Sequence, residues 1–297
     1  MLSRLSPNAQ GAALMVATMA FFAMNDTVVK LAGQRLELWQ MITMRGVLAS
    51  ALIALLAWRF GALRLPRGRD AWAVSIRSTM EVAATFFFLT ALMTVPLATL
   101  TAILQMLPLT VTLAAAVFLG EKVGWRRSLA IALGFVGMLL IVRPGAEGLG
   151  FETIFALLAV VVLTARDMAT RLVSKAVPSL SIACLASVAV TIFGVVLGAV
   201  EGWVGPKPDA SDWGMMTLAA GLIFLAYLTS VMTMRVGEVS AIAPFRYAGL
   251  LWALLLGWLV FGDWPDNLTL LGAAIVVAAG LFTLRRTAQL DENTEAT

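Results

Sequence analysis

Apolar residues run along this chain in ten long stretches, each closed by glycine, proline or a cluster of charge. The stretches lie near 9–30, 38–58, 72–94, 97–119, 127–142, 151–174, 180–200, 213–234, 239–261 and 268–284. A helix needs about 20 mostly apolar residues to cross a bilayer; the fifth and tenth stretches are the short ones. Continuous apolar runs exclude a transmembrane barrel, whose strands alternate in polarity over about ten residues. The first run is too long for a signal-peptide core and lacks a small-residue cleavage site before a soluble chain, so it is expected to be a retained helix. The pattern predicts an all-α integral membrane protein of ten transmembrane helices.

Composition agrees. Of 297 residues, 61% are hydrophobic and 13% charged, against about 45–50% and about 25% in soluble domains. Seven of the nine tryptophans (Trp39, Trp58, Trp72, Trp125, Trp203, Trp213 and Trp264) fall at predicted span ends, where an amphipathic ring sits well. The chain has no histidine and one cysteine, Cys184, which reads as a small core residue. Disulfides, Cys/His zinc sites, haem ligation and imidazole catalysis are thereby excluded, and no metal or cofactor is expected.

A net charge of +4 would suggest a nucleic-acid partner in a soluble protein; here the basic residues follow membrane topology, and no such partner is expected. With a cytoplasmic amino terminus, thirteen basic residues fall in cytoplasmic segments: Arg4, Arg59, Arg64, Arg67, Arg69, Lys122, Arg126, Arg127, Arg171, Lys175, Arg235, Arg285 and Arg286. Only Arg35, Arg143 and Lys207 fall on the other side. This positive-inside bias predicts both termini in the cytoplasm and a multi-pass protein of the cell inner membrane.

The two halves of the chain echo each other at a spacing of 141–142 residues. Asp26-x3-Lys30-Leu31 in the first run matches Asp167-x3-Arg171-Leu172 in the sixth, and Phe118-Leu119-Gly120-Glu121 matches Val260-Phe261-Gly262-Asp263. The predicted domains are a first five-helix repeat over 1–145, a second over 146–285 and a polar cytoplasmic tail over 286–297. Five spans per repeat is an odd number, so the second repeat must be inverted relative to the first. Inverted repeats mark alternating-access carriers, which hold substrate near the midplane.

Asp26, Lys30, Arg45, Arg77, Glu81, Arg166, Asp167 and Arg246 all lie inside the runs. A charge at the bilayer centre costs about 2.5–3.5 kcal/mol on insertion scales, so each must pair, snorkel or face water. Asp26/Lys30, Arg77/Glu81 and Asp167/Arg171 have the i,i+4 spacing of same-helix ion pairs. Lys30, Arg166 and Arg171 are expected to have structural or topological roles. Gln105 in the fourth run and Tyr247 in the ninth are equivalent under the repeat, with Arg246 beside Tyr247. The candidate substrate-binding or coupling residues are Glu81, Arg77, Gln105, Arg246, Tyr247, Asp26 and Arg45. Glu81, ten residues into its span, is the candidate proton carrier.

Pro108 and Pro244 are candidate hinges, each depriving a carbonyl four residues earlier (Leu104, Ser240) of its donor. Phe86, Phe87, Phe88 and Trp252 could stack a planar substrate, although packing alone accounts for them. The fifth and tenth helices carry Gly134, Gly137, Gly272 and Gly280 and, past Arg127 at the start of the fifth, no ionisable residue, as expected of peripheral supports or a homodimer contact.

Pro96-Leu97-Ala98, Pro108-Leu109, Leu119-Gly120-Glu121, Gly134-Phe135-x-Gly137 and Arg143-Pro144-Gly145 resemble the first repeat of the EamA-like branch of the drug/metabolite transporter superfamily. The resemblance covers essentially the whole chain, and Gly262-Asp263 departs from the usual Gly-Glu while keeping the charge. It implies a basket of helices with the fifth and tenth outside, and a carrier of small metabolites. Asn25-Asp26-x3-Lys30 and Arg45-Gly46 are most similar to the metabolite-uptake members, riboflavin transporters among them. Five basic against three acidic residues within the spans favour instead a carboxylate or phosphate. The expected substrate is riboflavin or a similar planar vitamin, followed by an amino-acid-like or carboxylate metabolite, imported or exported.

An intramembrane enzyme is the rival class. The chain has neither a Gly-x-Ser-x-Gly elbow nor a histidine base, and its aspartates are too scattered for a magnesium site. A channel would call for a filter sequence or charged ring, and an ATP-driven pump for a phosphate loop the chain lacks. The topology is open to direct measurement in a Cys184→Ser background. Lys207→Cys should react with an impermeant maleimide in intact cells, and Arg67→Cys only after lysis; the reverse pattern would invert the orientation.

Overall fold

The computed structural model describes residues 7–118, 120, 124–143, 151–174, 176–236 and 242–295. Leu119, Glu121, Pro144 and Gly145 of the motifs, Arg4, Lys122, Lys175, Ser240 and the boundary at 145–146 lie outside them. Ten helical elements appear among the described residues, with no strand. They are α1 (Pro7–Ala32), α2 (Leu38–Arg59), α3 (Arg69–Thr94), α4 (Leu97–Phe118), α5 (Trp125–Val142), α6 (Phe151–Leu172), α7 (Ser179–Val200) and α8 (Ala210–Val236). The ninth, α9, has three segments (Ala243–Tyr247, Ala248–Leu256 and Gly257–Phe261), and α10 is Asn267–Glu295. Eight are long and apolar enough to span a bilayer, and the apolar parts of α5 and α10 are shorter, Ser128–Val142 and Asn267–Thr283. The helix of α10 continues through the polar sequence expected to be a tail.

Equivalent helices of the two repeats pack on each other. Along α2 and α7 the close contacts pair Thr43 with Gly194, Gly46 with Thr191 and Ser50 with Ser187, so position rises on one helix as it falls on the other. The two helices are therefore antiparallel. The Ser50 hydroxyl lies 2.8 Å from that of Ser187 and 3.1 Å from that of Thr191, its equivalent 141 positions on. On α5 and α10, Gly137 opposes Gly272 and Gly134 approaches Ala279, again antiparallel. In each pair an element meets its own repeat upside down, the geometry an inverted duplication requires.

Small residues make these crossings possible. A Cβ at Gly137 would come 2.8 Å from the Gly272 carbonyl oxygen, and one at Gly272 would come 2.5 Å from that of Gly137. Backbones this close gain dispersion contact that side chains would otherwise prevent. The space over Gly134 is filled by Leu109, and that over Gly280 by the Tyr247 hydroxyl. The four glycines expected to form a peripheral or dimer surface are thus all covered within the chain, and a homodimer through these helices would need their other faces.

The chain divides into two compact units that cut across the repeats. One comprises Met1–Met24, Val95–Ile154 and Leu225–Thr297; the other comprises Asn25–Thr94 and Phe155–Phe224. The first contains α4, α5, α9 and α10, and the second α2, α3 and α7 with most of α6. The repeated Gly-acid motif has a backbone reason. Gly120 after α4 and Gly262 after α9 have φ of +68° and +71°, the left-handed conformation that ends a helix and favours glycine.

Gly272→Ala should destabilise the protein by about 1–3 kcal/mol, because backbone rather than a movable side chain blocks the added carbon. Gly221→Ala, with no neighbouring atom within 4 Å, should leave the thermal midpoint in detergent nearly unchanged. Equal midpoints for the two variants would contradict the crossing.

Candidate functional site

The unit built from α2, α3, α6 and α7 gathers most of the intramembrane charge. Side chains join antiparallel α3 and α6 at three levels, through Asp70 with Ser174, Glu81 with Arg166, and Phe86 with Phe155. Glu81 is the centre of a four-residue network. Its Oε2 lies 3.4 Å from Arg77 Nη2 on the next turn of α3, and its Oε1 lies 3.4 Å from Arg166 Nη1 on α6. Arg166 also donates from Nε and Nη2 to Asp167 Oδ1, at 2.9 and 2.7 Å. Two guanidinium groups and two carboxylates balance. Such a network lowers the desolvation burden that each charge alone would carry.

Further along the same helices is an aromatic cluster. Phe86 meets Phe87, Phe155 and Phe193 edge-on at centroid distances of 5.5, 6.2 and 6.0 Å, and Phe87 lies 5.9 Å from Phe155. Glu81 and Phe86 are separated by about 7.5 Å of helical rise. On α6, Phe155 and Arg166 are about three turns apart and so share a face.

A second polar group lies on α1 and α2. Asn25 Nδ2 donates to Asp26 Oδ1 at 2.9 Å, and Arg45 is near enough to Asp26 to interact electrostatically. Lys30 donates to the Leu92 carbonyl at 2.8 Å, anchoring the end of α1 to that of α3.

In the other unit, α4 and α9 are both discontinuous and pack on each other. In α4 the helix stops at Leu104 and resumes at Leu107, with Gln105 closing the first segment. Pro108 has no N–H for the Leu104 carbonyl, and Met106 turns instead to Ile103 at 3.0 Å. In α9, Tyr247 is the junction between a tight first turn containing Pro244 and the regular helix. The equivalent residues Gln105 and Tyr247 thus both stand at breaks, and paired broken helices are where inverted-repeat carriers place binding groups. Tyr247 is only 6% exposed, its hydroxyl over Gly280 with no hydrogen-bond partner among the described residues, whereas Arg246 is exposed. The Trp252 indole is tied to the Val16 carbonyl at 3.2 Å.

The expected candidates therefore fall into two groups in one unit, Arg77 with Glu81 and Asp26 with Arg45, while Gln105, Arg246 and Tyr247 stand at the two helix breaks of the other. Arg166, expected to be topological, joins the first group, with Asp167, Phe155 and Phe193. The eleven-residue spacing of Phe155 and Arg166 was the signal available in the sequence; their partner helix was not.

Symmetry is visible at the helix ends. Asp70, in the first turn of α3, accepts from the backbone and hydroxyl of Ser174 after α6, at 2.9 and 2.7 Å. Its repeat equivalent, Asp212 of α8, lies 3.4 Å from Arg35 after α1, and Arg35 also pairs with Asp209. Arg143 pairs with Asp266 across the ends of α5 and α10. Backbone donation from Asp212, followed by the Arg35 bond, lowers the Asp209 carboxyl below its ordinary value of 3.8. Backbone donation from Thr269, followed by Arg143, does the same for Asp266.

A model of the EamA-like transporter family matches residues 9–143 and again residues 150–285. The chain is 25% identical over 262 residues to an S-adenosylmethionine uptake transporter of Rickettsia bellii, covering 88% of each chain. It is 26% identical over 259 residues to a riboflavin transporter of Rhizobium johnstonii, covering 83% of this chain and 84% of that one. A solved crystal structure superposes with a TM-score of 0.60 at 18% identity, over 92% of this chain and 95% of the other.

A carboxyl lowered by folding contributes stability that is present above its unfolded value and lost as pH falls through its folded value. Asp209→Asn should therefore lower the thermal midpoint at pH 5–7, and the difference from the unsubstituted protein should shrink steadily below pH 4. A difference independent of pH would show that the ionised carboxylate is not what the loop uses.

Proposed function

The chain belongs to the EamA-like transporter family, and from that premise we propose that it is a secondary carrier importing a small metabolite with a planar ring, by alternating access. Membership makes it a membrane transporter; substrate, direction and orientation belong to the proposal. The inverted crossings of α2 with α7 and α5 with α10 support alternating access, because equivalent halves can exchange conformations across the membrane plane. The cell inner membrane with cytoplasmic termini is the proposed setting.

The observation that carries the substrate class is the cluster of Phe86, Phe87, Phe155 and Phe193, half-buried and drawn from three helices. Aromatic faces stack planar rings with little regard to ring substituents, each stacked ring being worth about 1–3 kcal/mol. Riboflavin fits this requirement and is named for one relative. The second reading, an amino-acid-like metabolite, is favoured by the charged network one to two turns away. S-Adenosylmethionine, named for another relative, joins a purine ring to an amino-acid end.

Labelled uptake into cells expressing the chain tests both, with rescue of a flavin auxotroph as a growth readout. Saturable uptake of either compound, competed by unlabelled excess and showing counterflow, is the expected result. Phe155→Ala should raise KM by roughly tenfold. Uptake of neither compound, with the protein in the membrane, would overturn the ring-substrate reading, and an unchanged KM in Phe155→Ala would remove the aromatic cluster from it.

A further inference from the structure

We infer that Arg77 is a substrate-anchoring residue whose unpaired guanidinium edge takes the carboxylate of an amino-acid-like substrate. The inference rests on the uptake reading above and chooses between its two substrate classes. Arg166 has an acceptor for all three of its nitrogens, in Glu81 and Asp167. Arg77 does not. Its Nη2 faces Glu81 at 3.4 Å, while Nε and Nη1 are buried with no acceptor among the described residues. The adjacent Ser78 hydroxyl is in the same condition.

The planar geometry of guanidinium decides what could complete it. Its two two-donor edges, Nε/Nη2 and Nη1/Nη2, share Nη2, which carries one hydrogen toward each. Whichever of these hydrogens Glu81 takes, the other edge keeps both donors. That edge presents two parallel N–H bonds, the match for the two oxygens of a carboxylate. A purely structural arginine in this network would be expected to direct its donors to the nearby acceptors, as Arg166 does. The carboxylates Glu81 and Asp167 stand close by for a substrate ammonium group. Riboflavin, which carries neither charge, would leave the edge without a carboxylate.

The test uses Arg77→Lys in the full chain, which keeps a cation beside Glu81 and removes the planar two-donor edge. Uptake is compared for S-adenosylmethionine and its decarboxylated counterpart. Arg77→Lys should raise KM for the first by roughly tenfold or more and leave that of the second unchanged. Equal effects on both, or uptake of riboflavin alone with Arg77→Lys indistinguishable from the unsubstituted chain, would overturn it. Should the unsubstituted chain import neither ring compound, the uptake reading fails separately, and the thermal midpoint in detergent decides for Arg77: a rise on adding methionine that Arg77→Lys loses supports the anchor, and no rise overturns it.

Discussion

Where two helices of this protein cross, their backbones come close enough that a single methyl group would not fit. Water offers no hydrophobic drive between helices inside a bilayer, so association depends on close contact and on the few polar groups that can pair. Gly137 against Gly272 uses the first means, and Ser50 against Ser187 and Thr191 uses both. Because the partners at these crossings are repeat equivalents running antiparallel, the same contacts also express the inversion of the two halves.

The repeats preserve helix placement more faithfully than chemistry. Helix α3 meets α6 through a charged network and three phenylalanines. The equivalent meeting of α8 with α1 uses the Thr18–Thr229 hydrogen bond and the Phe22–Tyr227 ring pair, whose centroids are 5.8 Å apart. Between the helix ends, one copy of the contact is thus ionic and aromatic, while the other is made by a hydroxyl pair and two rings. The repeats thus share a scaffold while the side chains available for recognition differ between them.

Much of the architecture was legible in the sequence for a simple reason. A chain in lipid must satisfy its backbone hydrogen bonds within each span, so an apolar run of sufficient length is read as a helix almost without competition. Helix ends at charge, tryptophan and the left-handed Gly120 and Gly262 followed from local chemistry as well. Arg77 and Glu81 were legible as a pair because their spacing lies within one helix. Arg166 and Asp167 were not legible as its partners, because that contact closes between helices 85 positions apart.

The amino-acid sequence by itself determined ten helices, their approximate limits, the half-length repeat and the residues that must avoid lipid, since each depends on polarity counted along one segment. Only the tertiary structure decided how those segments are shared out. It put α2 with α7 and α5 with α10, covered the glycines of α5 and α10 within the chain, and turned Tyr247 into α10. It also left Arg77 with donors to offer. These outcomes depend on which faces meet, and in a bilayer that choice is made by side-chain fit and polar pairing between distant segments, neither of which hydropathy records.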